Sequence, residues 1–344
     1  MPMPAAHNHL SAFDRTFRAA HRLSRQLLRR EFRRQDPGIA ELMRFILRKQ
    51  VASEYPFVFT YSFCRKEADA RRVRRLAAAV HLLQSSGFVT DDIFDDAHTR
   101  YRQPAVHVRY GVSDAILATV LMQSVAGKVL GQELERGAFR NKLEVAEIFN
   151  QITLDLYRGQ YLDVHNSGNL KMPRREYDRT IALGVGNYFA NAARCGALLA
   201  GKGPREVARL GRYGYHYGMA LFITDDIVDV QPSAQTGKDF ATDLRNRRMR
   251  LPIILALELA DARDAAFLRG LYRKTRPEGR DVRRAAGILR RCGALAACRR
   301  EAERHIFQAL EALRGLRRLR LTVPVARLRW LAETLLETQD LEGE

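Results

Sequence analysis

Two stretches of the chain gather aspartates at a spacing suited to a divalent cation. GFVTDDIFDDAHTRYR carries Asp91, Asp92, Asp95 and Asp96, and ALFITDDIVDV carries Asp225, Asp226 and Asp229. In each, the first aspartate and the one four residues later share a helix face, one turn apart. Like charges at that spacing repel, and aspartate is a poor helix former, so such a helix is destabilised unless a cation compensates. Both clusters follow apolar runs and are expected to end buried helices, where the partial negative charge of the C-terminus adds to the attraction for cations. Oxygen-only ligands favour magnesium or manganese over zinc, and magnesium shares its shell among a few carboxylates, waters and substrate phosphates. A single D-D-x-x-D reads equally well as a solvated acidic turn. Two copies with the same spacing and the same apolar approach, about 130 residues apart, point to two facing helices that present carboxylates to one site. An EF-hand does not fit the first stretch, because its sixth position is Asp96 and its twelfth Arg102.

The elements that must hold these clusters are helices. Apolar residues recur at i, i+3, i+4 and i+7 over 12–34, 67–90, 113–134, 138–164, 174–200, 204–230, 250–274, 280–315 and 324–338, and period-two alternation is nearly absent. Breaks fall at Pro37-Gly38, Pro56, Pro104, Gly111, Pro173, Gly201 to Pro204, Pro252 and Pro277 to Gly279. With no long linker and no solenoid-length repeat, the expectation is one all-α domain over 1–344. LGVGNYFANAARCGALLAG and YGMALFITDDIVDV are apolar over more than one stripe, so they belong to helices surrounded by helices, with room for a substrate cavity among them.

Composition narrows the class. A chain of 344 residues, 46% hydrophobic and 28% charged, can bury a large core. Its four cysteines show no C-x-x-C spacing and no cluster with histidine, so neither a disulfide framework nor a zinc site is expected, and a reducing cytoplasm fits. The first residues lack a signal-peptide layout, and no stretch reads as a membrane-spanning helix. The net charge of +19 asks for an anionic partner. The arginines crowd residues 15–34 and 268–329, alternating with Leu and Ala at helical spacing, which reads as solvated helix faces. No specific nucleic-acid partner is expected; anionic lipid or a phosphorylated substrate fits better.

AAVHLLQSSGFVTDDIFDDAHTRYRQPAVHVRYG, Gly159-Gln160 with Asp163, and the second aspartate stretch followed by Gly237-Lys238, Asp243-Leu244 and Leu251-Pro252 resemble the trans-isoprenyl diphosphate synthases, the polyprenyl synthetase family, over roughly residues 40–260. The resemblance implies an isoprenoid-synthase helical bundle in which Asp91, Asp92, Asp95, Asp225, Asp226 and Asp229 hold magnesium, about three ions with manganese as a substitute, and carry the catalysis. The metal bridges the diphosphate of an allylic prenyl substrate so that the carbon–oxygen bond breaks to a carbocation. Arg100 and Lys238 would clamp the phosphate oxygens, Gln160 would line the site, and Phe88, Tyr188 and Phe222 would either face the cation or, as the favoured role, pack in the core. The resemblance also suggests a homodimer through the apolar helix 113–134, for which burial in the core is the equally simple reading.

The family's determinants for a second substrate, isopentenyl diphosphate, depart here. Ser53 and Tyr55 in VASEYPFVF stand where its basic residues would be, Gln84 replaces a histidine, Tyr101 follows Arg100, and Gly184-Val185 and Phe222 replace a K-T pair and a glutamine. A second diphosphate needs cationic donors. These changes favour a terpene synthase that cyclises or deprotonates its cation, with Arg48, Lys49 and Arg102 as residues able to rebuild an acceptor site; the alternative is a prenyltransferase that condenses the allylic diphosphate with isopentenyl diphosphate or another acceptor. Small residues at Gly87, Ser86 and Ser85 leave depth for a farnesyl or geranylgeranyl chain, with Leu83 and Val80 as the next floor.

Overall fold

The computed structural model describes residues 4–32, 36–48, 54–100, 103–231, 240–317 and 322–339. The chain runs through α1 (Pro4–Phe32), α2 (Pro37–Ile46), α3 (Glu54–Phe63), a 3-10 segment (Glu67–Val73), α4 (Arg74–Phe94), α5 (Val106–Tyr110), α6 (Val112–Arg136) and α7 (Lys142–His165). It continues through α8 (Arg174–Ile181), a π-helical turn (Ala182–Gly186), α9 (Asn187–Leu199), α10 (Pro204–Asp229), α11 (Thr242–Arg245), α12 (Leu251–Leu259), α13 (Ala262–Arg273), α14 (Gly279–Arg291), α15 (Ala294–Arg317) and α16 (Thr322–Gln339). Among the described residues the strands are two-residue pieces, β1 (Thr99–Arg100) and β2 (Gln103–Pro104), paired antiparallel just after α4. The all-α expectation holds.

Several boundaries depart from the periodicity for local reasons. The segment 250–274 divides at Asp261, whose side chain accepts a hydrogen bond from the Asp264 amide at 2.8 Å and starts α13. The segment 280–315 divides at Gly293, which sits at φ 81, a conformation glycine adopts without strain. Helix α3, EYPFVFTYSF, gave no amphipathic signal because every residue from Pro56 to Phe63 is buried.

Two hydrophobic clusters form the interior, and α10 belongs to both. Its first half contributes Val207, Leu210, Tyr213 and Tyr217 to the cluster shared with α1, α3, α4, α6, α7 and α9. Its second half contributes Met219, Ile223 and Ile227 to the cluster shared with α12 to α15. The start of α10 is fixed by Pro204 at the first turn and by Glu206, whose carboxylate accepts from the Gly203 amide at 2.9 Å. Helix α4 is buried at every residue from Leu76 to Ser86 and ends in the first aspartate cluster; α10 ends in the second. The expected burial of both motif-bearing helices is therefore met.

Helix α6 corrects one sequence expectation. By length and composition Val112–Arg136 is apolar enough to cross a membrane. In the fold, one face of it (Ala115, Ala118, Met122, Val125, Ala126, Val129) is buried in the helical core, and its high mean hydropathy reflects apolar residues on both faces, with Ile116, Leu117 and Val120 exposed.

Within this core, His81 of α4 is almost fully buried and shares a 3.1 Å hydrogen bond between its Nδ1 and Ser24 Oγ of α1. Burial, with help from His21, depresses its pKa from 6.5 to about 3. At pH 7 the imidazole is neutral in both folded and unfolded chains. As pH falls below 6.5 the unfolded chain takes up a proton that the folded one refuses, so stability is lost progressively towards pH 3. At pH 5 the expected loss is about 2 kcal/mol. Thermal melts of the wild type and His81→Met at pH 7 and pH 5 check this: an equal fall in Tm for both proteins would remove His81 as the cause.

Candidate active site

The two aspartate clusters open onto one cavity of about 610 Å³. Its walls come from the start of α3, the second half of α4, β1, the second half of α7, the π turn, Tyr188 of α9, the end of α10, and the return segment with Thr242, Asp243 and Arg250. Asp91, Asp92, Asp95, Asp225, Asp226 and Asp229 all line it, as do Arg100, Gln160 and Phe222. The structure thus brings these sequence candidates together across 134 residues of chain. Lys238 lies outside the described residues.

The six carboxylates are not equivalent. Asp225 is exposed and Asp91 is 40% exposed at its side chain, whereas Asp92 and Asp226 are each 3% exposed. Arg100 spans the first cluster, with Nη2 3.0 Å from Asp91 Oδ2 and Nε 2.7 Å from Asp92 Oδ1, and its guanidinium lies over the Phe88 ring at 4.9 Å. Asp226 accepts from the Tyr177 hydroxyl at 2.9 Å and from the Leu251 amide at 3.3 Å. Asp229 accepts from the Thr242 and Asp243 amides at 3.0 and 3.2 Å, which pins the return segment to the end of α10.

Two further arginines, absent from the sequence candidates, cross-brace the clusters. Arg248 reaches Asp95 Oδ1 at 2.6 Å, the Phe94 carbonyl at 2.7 Å and Asp163 at 3.5 Å. Arg250 reaches Asp163 at 2.6 Å, Asp243 at 3.1 Å and Asp226 at 3.7 Å, and lies over Phe222 at 4.9 Å. Asp163, singled out from the sequence only as part of a motif, is the carboxylate that both arginines share. The local sequence RRMRLP offered a signal: Arg248 and Arg250, alternate residues immediately before a buried helix, place both guanidinia on one side of an extended segment. Arginine is otherwise so abundant in this chain that the signal did not stand out.

Electrostatically the site is short of positive charge. Burial lifts Asp226 well above the ordinary carboxylate range against the pull of Arg250. Burial and then Asp91 push Asp95 up to about 7, with Arg248 opposing. Asp243 is raised in the same way. Further cations would restore full ionisation, and the donor set of carboxylate oxygens on neighbouring turns suits hard divalent ions. Among the described residues no three of His, Cys, Asp and Glu form a complete metal-binding group.

Below the aspartates the cavity becomes apolar. Gly87, Phe88, Leu83, Leu156, Val185, Tyr188 and Leu221 line it, whereas Ser85, Ser86 and Val80 are buried behind the wall. Ser85 and Ser86 therefore leave depth only indirectly. The π turn adds Gly184 and Val185 to this wall and packs closely on α7: a Cβ on Gly159 would meet the Gly184 nitrogen at 2.6 Å. The glycine of the G-Q-x-x-D motif is thus a packing requirement, and it seats Gln160 and Asp163 against the cavity. Tyr55 is stacked on Phe189 with centroids 3.8 Å apart and also touches Tyr188, and both Tyr55 and Gln84 line the cavity. Arg48 does not line the cavity; Lys49, Ser53, Tyr101 and Arg102 lie outside the described residues.

A deep apolar pocket beneath two facing carboxylate clusters, enclosed by helices, defines the isoprenoid-synthase class of all-α enzymes. The family model described as polyprenyl synthetase matches residues 54–289. A short chain isoprenyl diphosphate synthase of Methanothermobacter thermautotrophicus is 30% identical over 239 residues, covering 69% of this chain and 72% of that one. A geranylfarnesyl diphosphate synthase of Aeropyrum pernix is 30% identical over 249 residues, covering 72% and 77%. A crystal structure of geranylgeranyl pyrophosphate synthase from Corynebacterium glutamicum, complexed with isoprenyl diphosphate and magnesium, superposes with a TM-score of 0.83 at 21% identity, covering 95% of this chain and 99% of that one. The chain belongs to the polyprenyl synthetase family and is an enzyme of isoprenoid biosynthesis.

Proposed function

We propose that this protein is a magnesium-dependent prenyltransferase that joins an allylic prenyl diphosphate, of farnesyl or geranylgeranyl size, to an isopentenyl diphosphate acceptor. The observation that carries the ionising half of this reading is the convergence of both aspartate clusters on the mouth of one apolar cavity. The relatives' naming as prenyl diphosphate synthases supports the transfer half and weighs against the lyase expected from the sequence. That expectation rested partly on Ser53 and Tyr101, which lie outside the described residues, and on Tyr55, which the fold uses for aromatic packing.

In this reading the carboxylates of Asp91, Asp95, Asp225 and Asp229 would hold the metal, which would supply Lewis-acid neutralisation of the departing diphosphate. Asp226 is held by Tyr177, Leu251 and Arg250, and positions the end of α10. Arg100 exchanges its carboxylate partners for phosphate oxygens when substrate enters, and the buried Gln160 Nε2, which has no hydrogen-bond partner, is a further donor for them. Phe88 and Phe222 flank the ionising carbon while the apolar wall below excludes water from the cation.

Incubation with magnesium and farnesyl diphosphate, with and without isopentenyl diphosphate, tests this directly. A longer prenyl diphosphate formed only with isopentenyl diphosphate is the expected result. Hydrocarbon or alcohol released equally without it would replace transfer by the lyase reading, which the uncharged Tyr55 and Gln84 in the cavity wall favour.

Chain length is set by the wall at Gly87, where a Cβ would sit 3.5 Å from Leu156 Cδ2. Alanine fits there and a larger side chain enters the cavity. Gly87→Phe is therefore expected to shorten the product by at least one five-carbon unit with diphosphate release preserved; an unchanged product length would remove Gly87 from the floor.

A second copy of the chain is the proposed partner of α6 and α7. Ile116, Leu117 and Val120 of α6 and Leu143 and Leu154 of α7 are large, apolar and about half exposed or more on two neighbouring helices, more than a solvated surface favours. Leu117→Glu with Val120→Glu is expected to convert a dimer to a monomer in sedimentation equilibrium. A wild type that already sediments as a monomer would rule the interface out.

A further inference from the structure

Helix α1 carries a feature that the reaction does not use. From Arg15 to Arg30 it contains six arginines and no acidic residue. Five of them, Arg15, Arg18, Arg22, Arg25 and Arg29, are spaced three and four apart in alternation, which puts them along a single face over roughly 21 Å of helix. The opposite face, with Ala12, Ala20, Ser24, Leu27, Leu28 and Phe32, is buried in the core, so the arginine face is the one turned outward. Like charges at this spacing destabilise the helix.

Some of the chain's other helical arginines have acidic partners. Arg291, Arg304 and Arg314 on α14 and α15 pair with Asp264, Glu301 and Glu311. On α1, Arg18 pairs with Asp14 and Arg15 approaches Glu67 at 3.7 Å, but Arg22, Arg25 and Arg29 have no ion pair among the described residues. A shallow depression of about 430 Å³ is lined by Arg18, His21, Arg22, Arg25, Gln26 and Arg29 alone. A basic line in which three of five arginines lack an ion pair among the described residues calls for an extended anionic surface outside the molecule.

We propose that the arginine face of α1 docks the enzyme on an anionic lipid surface. Between Arg18 and Arg29 the stripe has no Phe, Tyr or Trp on which unpaired bases could stack. A flat sheet of lipid headgroups meets it along its whole length. Its apolar face is occupied by the protein core, so attachment is electrostatic, without insertion, and reversible by salt. The choice of lipid over nucleic acid rests in part on the proposed reaction, whose prenyl diphosphates are amphiphiles that partition into bilayers. Docking then holds the cavity where its substrate and product reside.

Flotation with phosphatidylcholine vesicles, with and without about one third phosphatidylglycerol, tests the proposal on the full chain in the absence of prenyl substrate. It is therefore read independently of the reaction. Binding is expected only to the anionic vesicles and is expected to disappear in high salt. Each basic residue near such a surface contributes roughly fivefold to partitioning, so Arg22→Glu with Arg25→Glu and Arg29→Glu is expected to weaken binding at least about a hundredfold. The corresponding glutamine triple variant, which adds no acidic charge to the helix, is expected to weaken it in the same direction, with circular dichroism unchanged. Equal binding by wild type and either folded variant, or equal binding to neutral vesicles, would overturn the proposal. Tighter binding of wild type to a short RNA or DNA than to the anionic vesicles at the same salt, lost in the same variants, would also overturn it and make nucleic acid the partner.

Discussion

Replacing Asp225 by alanine is expected to slow diphosphate release by about a thousandfold or more, equivalent to about 4 kcal/mol of lost transition-state stabilisation. The magnitude follows from its position. Asp225 is exposed at the cavity mouth, one turn from Asp229 and across from Asp91, where negative charge accumulates on a departing diphosphate. Losing it removes an outward carboxylate from the second cluster, and water cannot reproduce its charge. Because its side chain is exposed, the folded state should lose little, and thermal stability is expected to stay within about 0.5 kcal/mol. Calorimetric titration of magnesium with inorganic diphosphate present is expected to show weaker metal binding in the variant. Unchanged metal binding together with unchanged turnover would exclude Asp225 from the metal site. Asp226→Ala should behave differently, because it strips Tyr177, Leu251 and Arg250 of their shared acceptor and acts first on stability.

Arg250→Met is expected to cost about 3–5 kcal/mol of stability at neutral pH, as breaking a buried ion pair from one side does. The guanidinium touches Asp163, Asp243 and Asp226, all of which are largely withdrawn from solvent. Without it those carboxylates are buried next to one another with Arg248 as the remaining neighbouring cation. The sign of the pH dependence is then fixed. Burial already raises Asp226 and Asp243, and loss of Arg250 raises them further above the unfolded value. A carboxyl group with a raised folded pKa binds its proton more tightly when folded, so stability falls as pH rises above the unfolded pKa and recovers on acidification. The deficit of the variant should therefore shrink between pH 7 and pH 5, and magnesium should also restore part of it. A variant as stable as the wild type at pH 7 would mean that the three carboxylates find another cation, and that Arg250 is not the brace between the clusters.

The sequence alone determined the helical class and the chemistry of the mouth. Helical periodicity is written locally, and two D-D-x-x-D stretches at the ends of apolar runs specify where carboxylates will gather, because both depend on residues within one or two turns. It also supplied Arg100, Gln160 and Phe222, which the fold does place in the cavity. The tertiary structure alone decided how the six aspartates divide, since whether Asp226 faces tyrosine and backbone or open cavity depends on α8 and α12 packing around α10. It likewise decided that Arg248 and Arg250 meet Asp95, Asp163 and Asp243, contacts spanning up to 153 residues in one case and seven in another. Arginine's long side chain carries no periodic signature of its partner, and in a chain with 58 basic residues only position in space separates the two that brace the site from those that face solvent.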